Sequence, residues 1–300
     1  MTPFKILLAL AFGIFLSACG GTDGTAPGSP TGVSVAAGTT AGTAVVSFTA
    51  PASSGSSAIT GYTVTASPGA ITATGATSPI TLTGLTPRTA YTYSVVANSG
   101  AGTSAPSTTG LLRFYSVVET FHEPMTQPND SIFTGTFTFD STSKVSSNLK
   151  DTLTQSMTKN GTPPAYGPPM TTVALANQLS SAPTTLGGVD GLLVTTFALQ
   201  TTNTFDPSGF APGGTEYYGL GTGAPNPKAG GVGNAYAMIF VNTTDPTTAL
   251  VQAQIDKLAY ADCTAGGMMM NTCMTGTSMM GYGKMGTMMG VPTSQVVTEQ

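Results

Sequence analysis

From Val33 to Ala97 apolar side chains recur at every second position, in short runs. Val33/Val35, Val46/Phe48, Tyr62/Val64, Ile80/Leu82 and Tyr91/Tyr93/Val95/Ala97 carry the pattern, with Ile59 and Gly61 leading into the third run. That spacing gathers the apolar groups of a run on one face of a pleated strand. Turn signals cut the runs at close intervals: Gly38, Pro51, Gly55, Pro68-Gly69, Gly75 and Asn98-Ser99-Gly100. Short alternating strands so separated predict a β-sandwich over residues 30–108. The rest of the composition agrees with an all-β chain rich in turns. The 300 residues include 38 Gly and 21 Pro, and 40% are hydrophobic, enough for a core. Only 7% are charged, against about a quarter in ordinary domains. A net charge of −4 provides no positive field for nucleic acid, so none is expected as a partner.

The N-terminus reads as an address. Lys5 supplies a basic start, Ile6–Leu16 an apolar run, and Leu16-Ser17-Ala18-Cys19 closes it. The run is shorter than the ~20 residues a transmembrane helix needs. The tetrad resembles the bacterial lipobox, an aliphatic residue and two small residues before the Cys that takes lipid. The resemblance implies a lipoprotein signal peptide at 1–18, acylation of Cys19 and attachment to the membrane through that lipid. Gly20, where an Asp would favour inner-membrane retention, points to the outer membrane of the cell envelope. An ordinary signal peptide with an incidental Cys is the alternative. Residues 19–29, with GGTDGTAPGS at 20–29, are predicted as a flexible tether.

Leu85-Thr86-Pro87-Arg88-Thr89-Ala90-Tyr91 resembles the tyrosine corner of fibronectin type III domains. There the Leu enters the core, Pro sets the bend and the Tyr hydroxyl ties back to the backbone. Ile59–Val64, Tyr91–Asn98 and Gly102–Ser107 are similar to strands of that family, and Phe48 stands where it usually has Trp. The resemblance implies a spacer or an accessory binding module. It fixes no ligand, because fold does not determine function.

Residues 111–265 are predicted as a second β-rich domain. Phe114–Phe121, Ile132–Phe139, Leu192–Leu199 and Tyr236–Val241 read as strands, and Asp140–Ser143 as a turn. The segment loosely resembles uncharacterised β-rich domains of secreted or surface-anchored Gram-negative proteins, through Gly135–Asp140, Gly233–Ala237 and Lys257–Cys263. One short helix is predicted, capped by Asp245, with Pro246 in its first turn and Val251, Ile255 and Leu258 on one face. Residues 266–300 are predicted as a flexible Met/Gly-rich tail.

Chemistry-bearing residues are sparse. Cys263 and Cys273 are an even pair in an exported chain and are expected to form a disulfide; a nucleophile or metal ligand is the alternative. Nine of the 14 Met cluster late: Met268, Met269, Met270, Met274, Met279, Met280, Met285, Met288 and Met289. Thioethers suit Cu(I), so the tract is either a Cu(I) site, an adaptable sticky tail or part of the fold. No other cofactor is indicated.

His122 is the only histidine and has no Gly-x-Ser-x-Gly elbow to serve. Glu119 and Glu123 lie four apart on one strand, ~13 Å by strand rise, which suits neither glycosidase geometry. Glu216-Tyr217-Tyr218 could stack on a sugar. Gly219–Ala224 is followed by Pro225 and Pro227, so no helix opens there to hold phosphate. The expected role is a non-enzymatic, lipid-anchored envelope protein for binding, adhesion or surface architecture, its protein or glycan ligand unspecified. Copper handling and a carbohydrate-targeting or hydrolase-associated module are the alternatives.

Overall fold

The computed structural model describes residues 24–122, 130–154, 172–200, 235–262, 275–277 and 289–300, with backbone alone at 261–262, 275–277 and 289–290. Strands dominate these residues, with one helical turn. The signal segment predicted at 1–18 and Cys19 lie outside them.

The first unit is a two-sheet sandwich. One sheet is ordered β1 (Thr31–Ala37), β2 (Ala44–Thr49), β5 (Ile80–Leu82). The other is ordered β4 (Ile71–Gly75), β3 (Ile59–Ser67), β6 (Thr92–Ser99), β7 (Gly102–Thr103), with β8 (Ser107–Thr108) also on β6. The alternating residues meet between the sheets: Val35, Val46, Phe48, Tyr62, Val64, Leu82, Tyr93 and Val95 are all buried. Phe48 packs on Tyr62 with ring centroids 4.7 Å apart, an arrangement aromatic rings favour. Leu85 is buried, and the Thr86 N–H donates to the Tyr91 hydroxyl at 3.0 Å, which is the tie the corner motif implies. No alternation announces β4, because Ile71-Thr-Ala-Thr-Gly offers one large apolar residue.

The tether is shorter than the 19–29 predicted for it. Ser56 N–H donates to Thr25 C=O and Gly28 N–H to Ser53 C=O, each at 2.9 Å, and the Ser29 hydroxyl donates to Ala105 C=O at 2.9 Å. Composition describes the entropy a segment starts with. Here main-chain hydrogen bonds hold Gly24–Ser29 against the sandwich.

The second unit is one ten-stranded order, β12-β11-β10-β9-β18-β17-β16-β15-β14-β13. The strands are β9 (Leu112–His122), β10 (Ser131–Asp140), β11 (Val145–Thr154), β12 (Thr172–Leu175), β13 (Asn177–Leu186), β14 (Val189–Phe197), β15 (Ala235–Asn242), β16 (Ala259–Asp262), β17 (Thr275–Thr277) and β18 (Met289–Glu299). Its core is aromatic: Phe121, Phe133, Phe137, Phe139, Phe197, Tyr236, Phe240 and Tyr260 are all buried. The tail predicted over 266–300 is corrected along Met289–Glu299. That stretch is β18, paired antiparallel to β9 from Val291↔His122 to Glu299↔Tyr115. An eleven-residue strand beside β9 satisfies an edge that would otherwise stay open. Pro292, which cannot donate to a ladder, sits at the bulge between Pro292 and Ser294.

Two glutamines close seams in this unit. β16 pairs with β15 only as far as Met238, which leaves the outer edge of Phe240 without a strand. Gln295 on β18 fills it: Phe240 N–H donates to Gln295 Oε1 at 2.9 Å, and Gln295 Nε2 donates to Phe240 C=O at 2.6 Å. At the other seam the Leu149 N–H donates to Gln178 Oε1 at 2.7 Å, and Gln178 Nε2 donates to Ser146 C=O at 2.8 Å. Each side-chain amide thus pairs as a peptide unit would, where a buried orphan would be costly.

The helix is a single turn, α1 (Gln252–Ile255). Asp245 does not cap it; its carboxylate accepts from the Thr247 N–H and hydroxyl. Gln254 takes the capping role, accepting from Val251 N–H at 2.9 Å and donating to Leu186 C=O at 3.2 Å. An Asx turn satisfies the Asp locally and withdraws it from the helix.

No free linker joins the two units. Tyr91 and Leu112 exchange main-chain hydrogen bonds of 3.0 and 2.9 Å, and Leu112 belongs to the core of the sandwich. Val35 C=O accepts from the Thr138 hydroxyl and from Asn148 Nδ2, both at 2.9 Å. Arg88 N–H donates to Gln300 C=O at 2.6 Å.

Candidate functional site

The chain crosses the sandwich from pole to pole. Gly24–Ser29 lies against the 53–56 loop and Ala105, near the end of β6, whereas the exit at Leu112 is bridged to Tyr91 at its start. The second unit repeats this polarity. Its near rim carries the connections 141–144, 187–188 and 243–258, and meets the sandwich through Thr138, Asn148 and Gln300. At its far rim β9, β11, β14 and β16 end, and β10, β12, β15, β17 and β18 begin. The register pairs Phe121↔Ser131, Thr154↔Thr172, Phe197↔Tyr236, Ala261↔Thr275 and His122↔Val291 fix this. The two longest connections, between Thr154 and Thr172 and between Phe197 and Ala235, leave from the far rim. Loops gathered at one end of a rigid β-scaffold are where binding residues concentrate.

His122 and Asp130 stand on that rim with Nδ1 3.2 Å from Oδ1, the imidazole about half exposed. Ser131, adjacent in sequence to this pair, does not serve it. Ser131 opposes Phe121 in register and is buried, on the face opposite the exposed His122. Its hydroxyl donates to the Tyr260 hydroxyl at 3.0 Å, beneath the Phe121–Tyr260 ring contact at 4.6 Å. Among the described residues no three of His, Cys, Asp or Glu come together as a metal-binding group.

Glu119 departs furthest from the sequence reading. It is fully buried, lies between Phe133 and Gln295 in register, and neither carboxyl oxygen has a hydrogen-bond partner among the described residues. Desolvation pushes its pKa well above the ordinary carboxylate value, because the charged form has no compensating contact. Its inward position follows from strand parity with Tyr115, Val117 and Phe121. The alternation could have signalled it, as an acid in an apolar register. Glu123, Cys263, Cys273, Met268, Met269, Met270, Met274, Met279, Met280, Met285, Met288, Glu216, Tyr217, Tyr218 and Gly219–Ala224 lie outside the described residues. Met289 opens β18, described in its backbone alone.

Among solved structures the chain is similar to titin kinase and its flanking domains at 16% identity, covering 43% of this chain and 30% of that one with a TM-score of 0.27. It is also similar to the chicken CNTN1 FN1–FN3 domains at 10% identity, covering 91% of this chain and 99% of that one with a TM-score of 0.22. The chain thus spans less than a third of the titin structure. No curated protein matches it. The fibronectin type III family model matches residues 28–110. With two sheets ordered β1-β2-β5 and β4-β3-β6-β7, a buried Leu85 and a tied Tyr91, this segment is a fibronectin type III domain.

Proposed function

We propose a non-enzymatic envelope protein, acylated at Cys19, that holds a binding rim away from the membrane. The carrying observation is the pole-to-pole path: the chain enters at one end, and its two longest connections leave from the opposite end of the second unit. Fibronectin type III domains are typically non-catalytic binding or scaffold modules, and here the domain is the rigid stalk. With lipid on Cys19, only Gly20–Asp23 lie between the anchor and the held segment. Four or five extended residues span at most ~17 Å, so the sandwich stands close to the headgroups. β6 adds eight residues and β9 eleven, which at ~3.3 Å per residue places the rim some 60 Å further out. The ligand is a protein or glycan of the exterior.

Growing cells with radiolabelled palmitate tests the anchor. Label should enter the wild-type chain and not Cys19→Ala, and the variant should leave the membrane fraction. Equal membrane retention of both chains overturns the reading. For the rim, a glycan array should lose its signals when residues 201–234 are replaced by a short Gly/Ser linker. Hydrolysis of polymeric substrates that His122→Ala abolishes would refute the non-enzymatic role.

A further inference from the structure

The two halves of the second unit join along a thin line at β18. The strands β12-β11-β10-β9-β18 make one half and β17-β16-β15-β14-β13 the other. β18 meets β17 over two register pairs only, Thr275↔Met289 and Gly276↔Gly290. From Val291 onward β18 continues along β9, and among the described residues no strand covers its other edge. One side chain crosses there, Gln295, which holds both main-chain groups of Phe240. The next residue, Val296, is 59% exposed, so solvent is close to the crossing.

Glu119 faces Gln295 in register across the β9–β18 ladder, where paired side chains stand about 5 Å apart at Cβ. Gln295 Nε2 already donates to Phe240 C=O, so one amide N–H remains to it. The other register neighbour of Glu119 is Phe133, which offers no donor. A protonated carboxyl tolerates such a place. A carboxylate needs several donors, a cation or water, and one amide N–H does not compensate its burial.

The surrounding elements supply no such charge. On β9 the inward titratable groups are Tyr115 and, nearer the start of the strand, Arg113, which is tied to Glu299 of β18. β10 brings Ser131, Phe133 and Phe137, none of them charged. Tyr260 of β16 packs on Phe121 and accepts from Ser131, and Tyr236 of β15 packs on Phe197. Asp245, before α1, acts on Tyr115, while Asp256 and Lys257, after it, are partly exposed. Burial alone perturbs Glu119. A thin seam, a lone side-chain tie and an uncompensated acid beside it therefore coincide.

We propose that the β18–β15 seam is a gate opened by alkali: Glu119 releases its proton to solvent, water enters to hydrate the carboxylate, and Gln295 lets go of Phe240 while β18 stays on β9. The gate is independent of the anchor and of the far rim, so it stands or falls apart from the role proposed above. Above the ordinary carboxylate range the closed seam binds one proton more than the open one. Closure therefore weakens as pH rises, by at most about tenfold per pH unit. The test follows amide exchange of Phe240 in the detergent-solubilised full chain between about pH 6 and 9, each rate divided by that of an unstructured peptide at the same pH. The Phe240 ratio should climb several-fold per unit, and that of Val117, in the middle of β9, should stay level. Glu119→Gln should abolish the climb. Gln295→Ala should exchange fast already at the acid end and flatten the slope, because Glu119 is then hydrated throughout. The proposal is overturned if the wild-type ratio changes by less than about twofold over the range, if Val117 loses protection in step with Phe240, which would mean that the whole unit unfolds, or if either variant keeps the wild-type slope.

Discussion

The Gln295 seam gives the sharpest quantitative test of how the second unit is held. In Gln295→Ala the Phe240 N–H and C=O lose both partners while Phe240 stays buried. An orphaned buried polar group costs about 1–3 kcal/mol, so the pair costs about 4. Releasing an ordered Gln side chain returns about 1.5–2 kcal/mol of entropy. The net loss is therefore about 2 kcal/mol, or roughly thirtyfold in an equilibrium constant. Urea unfolding followed by far-ultraviolet circular dichroism should show a lower midpoint at unchanged slope, and the Phe240 amide should exchange with solvent about thirtyfold faster if its protection comes from local closure. Gln295→Glu adds a pH signature. The introduced carboxyl stands in register with buried Glu119, so burial raises its folded pKa. Protonated, it can donate to Phe240 C=O and accept from Phe240 N–H; ionised, it can only accept. Its deficit against wild type should shrink as pH falls. An unfolding free energy for Gln295→Ala within about 0.3 kcal/mol of wild type, with Phe240 exchange unaltered, would refute the reasoning and mean that water already serves the seam.

Glu119→Gln should flatten the pH dependence of stability. The folded pKa of Glu119 is raised, so its contribution is full below the ordinary value near 4.5 and is lost as pH rises through the folded value. Thermal melts should therefore favour the variant most at pH 8 and bring the two chains together near pH 4. Tyr91→Phe removes the acceptor of the Thr86 N–H and should cost about 1 kcal/mol in the sandwich transition, read by urea unfolding. Gly191→Ala drives a methyl into the Phe240 ring and should cost about 1–3 kcal/mol by overpacking, with a broadened aromatic spectrum. Asp130→Asn should change stability by less than about 0.5 kcal/mol, because the His122 pair is half exposed.

What could be read from the sequence depended on whether the inward-facing residues were apolar. In the fibronectin type III domain they are, and Val46/Phe48, Tyr62/Val64 and Tyr93/Val95 announce their strands, while Leu85–Tyr91 names the corner. β10 was legible for the same reason, through Phe133, Phe137 and Phe139. β18 was not. Its inward positions hold Pro292 and Gln295, and the reason Gln is stable there is a backbone 55 residues away in the chain. β11 shows only Leu149 and Leu153 as large buried residues, and positive φ at Asn148 and Asp151 interrupts its period. β13 contains Pro183, tolerable because β13 closes the strand order at an edge.

The sandwich entered at one pole and left at the other also has a mechanical consequence. A tug on the far rim, resisted at the N-terminus, runs lengthwise along β1 and β8, which pair with β2 and β6 in different sheets. Rows of inter-strand hydrogen bonds loaded along their strands must slide together and cannot open one at a time. Forced unfolding is governed by the unfolding rate, so the domain should yield late under traction, and the clasp of Val35 by Thr138 and Asn148 would pass that load directly into the second unit.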